Sequence, residues 1–196
     1  MNVPAVTKRL LDVALSTGAL LITGPVIVIT AAAVRLTMGR PAFFRQERIG
    51  LNDRAFVIYK IRTMSTRTDD KGVLLPDEAR LTSVGRFIRA LSLDELPQLW
   101  NVLKGDMSLI GPRPHALAHD NYFETLLSDY AFRHHVKPGI TGWAQCNGAR
   151  GATPSVEHIA ERVKLDLWYI NNWSLWLDLL ITIRTVIEVL RKRNAY

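Results

Sequence analysis

From Val13 to Val34 the chain runs 22 residues without one ionisable side chain. A stretch that long meets the threshold of roughly 18–20 residues for a helix inside a bilayer. Three readings compete for it. Lys8-Arg9 ahead and Ala31-Ala32-Ala33 near the end suit a secretory signal. A signal's apolar region, however, is usually only about 7–15 residues, and a mid-segment Gly24-Pro25 is foreign to it. A straight span conflicts with charge. Lys8 and Arg9 precede the segment and Arg35, Arg40, Arg45 and Arg48 follow it, so crossing carries one basic cluster to the far side. Pro25 also removes a helical hydrogen bond midway and favours a kink. Residues 1–40 are therefore expected to form a re-entrant helix–break–helix hairpin whose two ends return to the same, cytoplasmic side. The carbonyl freed at the break would be met by Thr23 or by packed protein.

The rest reads differently. Past Arg40 the pattern is that of a folded domain, and 196 residues are ample for one. The chain is 48% hydrophobic and 22% charged, which excludes a disordered tail. Its single cysteine excludes a disulfide scaffold or a multi-cysteine zinc site. Residues 41–49 and 55–61 read as strands around Gly50-Leu51-Asn52-Asp53, a β-hairpin. Residues 63–81 are polar and read as a mobile loop. Helical periodicity covers 84–90, 95–103, 117–127 and 156–171, while 137–147, with Pro138, Gly139 and Gly142, reads as irregular extended chain. Residues 173–193 form an amphipathic pattern that starts with two tryptophans and ends in Arg191-Lys192-Arg193, as an interfacial helix on an anionic leaflet does. An ordinary core-facing helix has the same period. The expected class is α+β: a membrane hairpin, a small β-hairpin and a mostly helical cytosol-facing domain over 41–196.

With Lys+Arg 25 against Asp+Glu 18 the net charge is +7, which calls for an anionic partner. The densest candidate chemistry is Arg89 to Asn101, holding Asp94-Glu95. Ser92 and Glu95 are spaced as a capping box, but Pro97 would then fall where its missing amide is needed. A helix starting at Asp94 or later puts Pro97 in the first turn and Asp94 at a positive helix end. The pair then suits a catalytic or metal role, against capping as the commoner use of such acids. Arg113 lies between Pro112 and Pro114, which stiffen the backbone presenting a guanidinium that can grip phosphate bidentately. Lys60 and Arg62 alternate with Tyr59 and Ile61, so both cations leave the strand on one face. His115, His134 and His135 lack metal-binding spacing, and no Walker A, GxGxxG or GxSxG pattern occurs. A carboxylate pair among arginines beside a membrane segment suggests phosphoryl chemistry with a divalent cation.

The chain resembles the bacterial sugar transferase family, the monotopic polyprenol-phosphate phosphoglycosyl transferases, over essentially its whole length. The matching stretches are Phe43-Phe44-Arg45-Gln46-Glu47-Arg48-Ile49-Gly50, Tyr59-Lys60-Ile61-Arg62-Thr63-Met64 and Ser92 to Asn101. Gly105 to Pro114 and Lys137 to Gln145 match as well. The family's usual Ser-Pro break is Gly24-Pro25 here, which loses a hydroxyl. The resemblance implies a ping-pong transfer in which Asp94 attacks the β-phosphate of a UDP-sugar, UMP leaves, and undecaprenyl phosphate takes the phosphosugar from Asp94. It implies that Glu95 helps Asp94 hold Mg²⁺, that Arg89 and Arg113 contact phosphate or nucleotide, and that Lys60 and Arg62 support the same anionic site. The section from Asn147 onward looks like the hexose-1-phosphate branch, glucose or galactose, that starts exopolysaccharide repeat units. N-acetylhexosamine transfer, or a non-catalytic scaffold of polysaccharide assembly, are the alternatives. The implied partners are UDP-hexose, undecaprenyl phosphate and membrane lipids, not nucleic acid, with a homodimer left open. The implied place is the cytoplasmic face of the bacterial inner membrane, for either a small member or the catalytic core of a larger one.

Overall fold

The computed structural model describes residues 3–149, 151 and 155–190. The apolar segment forms α1, Val3–Met38. Helical structure continues through Pro25, so the break expected at Gly24-Pro25 is not there. A proline withholds one donor, and the residues on either side keep the helix going. Thr23 does not cover the freed carbonyl either: its hydroxyl donates to Ala19 O at 2.8 Å. Thr17, Thr30 and Thr37 likewise donate to carbonyls four residues back. All four hydroxyls are thus satisfied within the helix.

The polarity of α1 is inverted relative to a soluble helix. Its buried side carries Asp12, Ser16 and Thr30 beside Val34, while Leu21, Ile22 and Leu36 are 77%, 79% and 86% exposed. Over Ala5–Met38 it is long and apolar enough to cross a membrane. Soluble helices bury the apolar stripe and show the polar one, so the outer face of α1 suits lipid.

Both ends of α1 are tied to the rest of the chain. Near its start, Asp12 Oδ1 accepts from Ser108 Oγ and Leu109 N, and Lys8 pairs with Asp178 at 2.6 Å. Arg9 donates to the Val102 and Leu103 carbonyls, the first of which also accepts from Gly105 N at 3.0 Å. Near its end, Val34 packs with Ile61 and Ile88. Arg62 donates to the carbonyls of Met38, Gly39 and Arg40.

β1 (Phe43–Ile49) and β2 (Ala55–Ile61) form the antiparallel hairpin, paired from Phe43↔Ile61 to Ile49↔Ala55. Its turn places Asn52 and Asp53 at φ 52° and 57°, a region these short polar residues tolerate. Residues 63–81 are more structured than a loop. Bridges join Met64 to Leu81 and Thr68 to Leu74, Asp69 Oδ1 accepts from the amides of Lys71 and Val73, and α2 (Asp77–Arg80) closes the segment.

α3 (Ser83–Ala90) is capped by Thr82, whose hydroxyl accepts from Gly85 N at 2.9 Å. Gly85 allows this helix to lie on the Thr63 backbone: a Cβ there would stand 1.9 Å from Thr63 O. Gly85→Ala is therefore expected to destabilise the fold by about 1–3 kcal/mol through overpacking, read as a lower urea midpoint at unchanged slope. α4 (Gln98–Lys104) is pinned by its buried Asn101. Asn101 Oδ1 accepts from Tyr59 N and its amide donates to Val57 O, so one side chain imitates a strand edge for β2.

β3 (Ser108–Ile110) pairs in parallel with β4 (Gly139–Thr141), and α6 (Trp143–Cys146) follows, where irregular chain was expected. The remaining helices are α5 (Leu117–Leu126), α7 (Val156–Asn171) and α8 (Leu175–Leu190), with a 3₁₀ stretch Tyr130–His135 between α5 and β4. The α+β class holds, in two separate two-stranded sheets. α8 buries Leu177 and Ile181 and leaves Trp176, Leu179, Ile183 and Val186 exposed. It is thus core-facing on one side and apolar on the other. Arg191-Lys192-Arg193 lie outside the described residues.

Candidate active site

Asp94 and Glu95 sit in a 3₁₀ turn, Leu93–Glu95, one step ahead of α4. Pro97 is the residue before α4, where no helical donor is required of it. The capping box does not form: Ser92 is in the left-handed region at φ 55° and caps nothing, and Glu95 turns to side chains instead. Nor does Asp94 stand at the first turn of α4, as the helix-start reading had it.

Glu95 is buried and held by two cations. Lys60 Nζ lies 2.9 Å from Oε1, and Arg113 reaches Oε1 at 2.5 Å and Oε2 at 3.3 Å. Lys60 arrives from β2, and Arg113 from the proline-flanked turn after β3. Arg113, expected from its setting to grip phosphate, meets the Glu95 carboxylate through both of its terminal nitrogens here. Burial alone would raise the Glu95 pKa, but Arg113 and Lys60 outweigh it and hold this carboxyl well below the usual range. Burial in turn pushes the Lys60 ammonium down, against the pull of Glu95.

Asp94 behaves oppositely. Burial, then the neighbouring charge of Glu95, raise its pKa, and Lys60, Arg89 and Arg113 act against that rise. Among the described residues no side chain donates a hydrogen bond to its carboxylate. One acid is thus locked and anionic, and the other is buried, unbonded and surrounded by positive charge. Two adjacent carboxyls whose surroundings push their pKa values apart are able to take different roles.

Arg89, from the last turn of α3, donates from Nε to Thr63 Oγ1 at 2.8 Å and acts electrostatically on Asp94. The structure thus gathers Lys60, Arg89 and Arg113 about the acidic pair. It does not bring Arg62 there. Arg62 lies one residue past β2, is buried, and spends its guanidinium on the carbonyls after α1. Alternation put it on the Lys60 face, yet the terminal carbonyls of α1 claim it.

A second set of residues has no local sequence signal. Arg133 Nη2 donates to Arg113 O at 2.7 Å and its Nε to Asp166 Oδ2 at 2.9 Å. Arg48 donates to Pro114 O. His115 faces Arg133 and Arg162, and its pKa falls well below normal through burial and those cations. Tyr130 joins His115 to Asp120, and His134 reaches Asp120 at 3.2 Å. His115 and His134 are structural, as their spacing suggested, and together with the arginines they fix the turn that presents Arg113.

Beside the acids a cavity of about 880 Å³ opens between α1 and α8. Ser92 and Glu95 line one end, and leucines of both helices line its walls. Among the described residues there is no group of three His, Cys, Asp or Glu side chains able to cage a metal.

The chain is 48% identical over 96% of its length to the UDP-glucose:undecaprenyl-phosphate glucose-1-phosphate transferase of Caulobacter vibrioides, covering 72% of that protein. It is 45% identical over its full length to the protein of the same name from Xanthomonas campestris pv. campestris, and 46% over 96% to that of Escherichia coli. It spans 41% of each of those two. A model of the family described as bacterial sugar transferase matches residues 3–192. That match takes in α1, the hairpin, the acidic pair and α8 alike, and the chain belongs to the bacterial sugar transferase family.

Proposed function

We propose that this chain transfers a hexose-1-phosphate, glucose or galactose, from a UDP-sugar to undecaprenyl phosphate at the cytoplasmic face of the bacterial inner membrane, and so begins an exopolysaccharide repeat unit. The observation that carries this is the division of labour in the acidic pair. Glu95 is clamped by Lys60 and Arg113, while Asp94 is buried, accepts no side-chain hydrogen bond among the described residues and is close to three cations. Names of relatives that act on UDP-glucose and undecaprenyl phosphate supply the substrate class.

In the first half-reaction an Asp94 oxygen attacks the β-phosphorus. The bond from that phosphorus to the bridging oxygen breaks, UMP leaves with that oxygen, and an aspartyl phosphosugar remains. In the second, a phosphate oxygen of the lipid attacks the same phosphorus and Asp94 departs as carboxylate, giving a diphosphate-linked lipid sugar. Arg89 and Arg113 bind and orient the diphosphate, and Lys60 keeps Glu95 in place.

Two adjacent hard-oxygen acids fit Mg²⁺, which takes one or two protein carboxylates together with substrate phosphates and water. Asp94 accepts no side-chain hydrogen bond among the described residues and Glu95 keeps capacity on Oε2, so these two would hold it. There it would mask phosphate charge as the diphosphate cleaves.

Support for a one-sided membrane disposition comes from α1. Lys8, Arg9 and Asp12 at one end and Val34 and Met38 at the other all contact the same folded domain. A helix held so at both ends keeps its termini on one side, and lipid meets its outer face.

The test is to incubate the purified protein with a panel of UDP-sugars and Mg²⁺ and to look by mass spectrometry for a phosphosugar on the Asp94 peptide. The expected adduct is a phosphohexose. A phospho-N-acetylhexosamine would move the chain to the other branch, and no adduct with any sugar in folded protein would end the covalent reading. UMP release should fall at acid pH with a limb above the ordinary aspartate range. The raised pKa of Asp94 leaves it protonated, and so non-nucleophilic, at pH values where a free aspartate is charged, whereas Glu95 stays ionised throughout.

A further inference from the structure

The backbone at Ser92 takes a conformation that serine seldom adopts. Its φ is 55° and its ψ 24°, in the left-handed region. Among the described residues the other positive φ values belong to glycines and to Asn52 and Asp53 of the hairpin turn, residue types that tolerate them. Ser92 has a Cβ and lacks an amide or carboxylate, and it stands two residues before Asp94. Such a conformation persists only where the surroundings over-determine it, and such positions gather at functional sites.

Here the chain is held on both sides of the turn. Ser92 N donates to Arg89 O at 2.9 Å, closing α3, and Ser92 O accepts from Glu95 N at 3.2 Å, opening the turn that carries the acids. Leu93 packs back onto Val34, Ile61 and Ile88, while Leu91 and Leu96 line the cavity wall. Had α3 run on through Ser92, Asp94 would lie about 140° around its axis from Arg89 and about 7.5 Å along it. The two side chains would then face apart. The left-handed residue ends the helix and turns the chain back, so that Arg89 comes within electrostatic reach of an acid five residues on.

We propose that Ser92 is a positioning residue for the transfer: its left-handed backbone, rather than its hydroxyl, aims Asp94 at the phosphate that Arg89 holds. The proposal rests on the reading of Asp94 as phosphosugar carrier and adds what sets its aim.

The test measures the acceptor-free burst of UMP from UDP-glucose and Mg²⁺, using the full chain in detergent micelles. Ser92→Gly and Ser92→Asn, both at ease in this conformation, are expected to keep the burst rate within about threefold. Ser92→Val, whose β-branch resists it, should lose about tenfold in rate, with the UDP-glucose concentration at half-maximal rate moved by less than about twofold. In an Arg89→Gln background Ser92→Val should cost less than about twofold more, since the phosphate against which Asp94 is aimed is no longer fixed.

A full tenfold loss in that background overturns the proposal, because a general loosening of the fold adds to any other defect. A loss in Ser92→Gly and Ser92→Asn as large as that in Ser92→Val also overturns it, and assigns the role to the hydroxyl. If Ser92→Val does not fold, Ser92→Thr, which keeps the hydroxyl and adds the β-branch, carries the same cycle with an expected loss of about threefold. A parent protein without any UMP burst would defeat the carrier reading instead, whatever the Ser92 variants do.

Discussion

Asp94→Asn is expected to lose the phosphosugar adduct altogether and to reduce UMP release by about a thousandfold or more, because a neutral amide oxygen cannot displace UMP. The substitution is nearly isosteric and leaves the contacts of Glu95 to Lys60 and Arg113 in place. It should also leave stability unharmed. Burial and Glu95 disfavour the charged form of Asp94, so removing that charge from the folded state relieves a cost. A melting temperature equal to or above that of the parent, with activity gone, is the signature of a reactive group held at some expense to the fold. If the protein served polysaccharide assembly as a scaffold, the variant would keep polymer output in cells.

What could be read from the residues follows from the range of the forces involved. Local patterns were legible: β1 and β2 flank a Gly-Leu-Asn-Asp turn, α7 occupies 156–171 as its period indicates, and Pro97 pointed away from a Ser92 cap. Lys60 and Arg113 could be singled out because a strand's alternation and two prolines are local constraints. The β3–β4 pair was not legible, since three-residue strands carry no periodicity and Gly139 owes its place to a close approach to Gly111, its missing Cβ leaving 2.1 Å to the Gly111 amide nitrogen. Arg62 shows the limit most clearly. It lies one residue past β2, and its partners are carbonyls 22 to 24 residues away after α1. Pro25 is the converse case, a local signal that α1 overrode with packing at both ends. The Arg133, Asp166, Asp120 and Tyr130 network joins residues whose neighbours give no hint of one another, and only the fold assembles it.

That network carries the second large effect. Arg133 and Asp166 are each 2% exposed at the side chain and meet at 2.9 Å. Burial works against the charge on both groups; contact with Asp166 outweighs it for Arg133, whereas for Asp166 burial still wins and raises its pKa. Asp166→Ala therefore leaves a buried guanidinium without its hydrogen-bonded counter-charge, at an expected cost of about 3–5 kcal/mol. Against a total stability of roughly 5–15 kcal/mol that is a large share, so the urea midpoint should drop sharply. The replacement pair Asp166→Leu with Arg133→Met should recover most of the loss, because apolar groups of similar size need no partner there. Activity should not recover with it. Arg133 also donates to the Arg113 carbonyl, and without that bond the turn between Pro112 and Pro114 loses the support that aims Arg113 at Glu95. A double variant that is stable yet binds UDP-sugar more weakly would separate the two duties of Arg133. One that regains both would show that Arg48, through the Pro114 carbonyl, suffices to hold the turn.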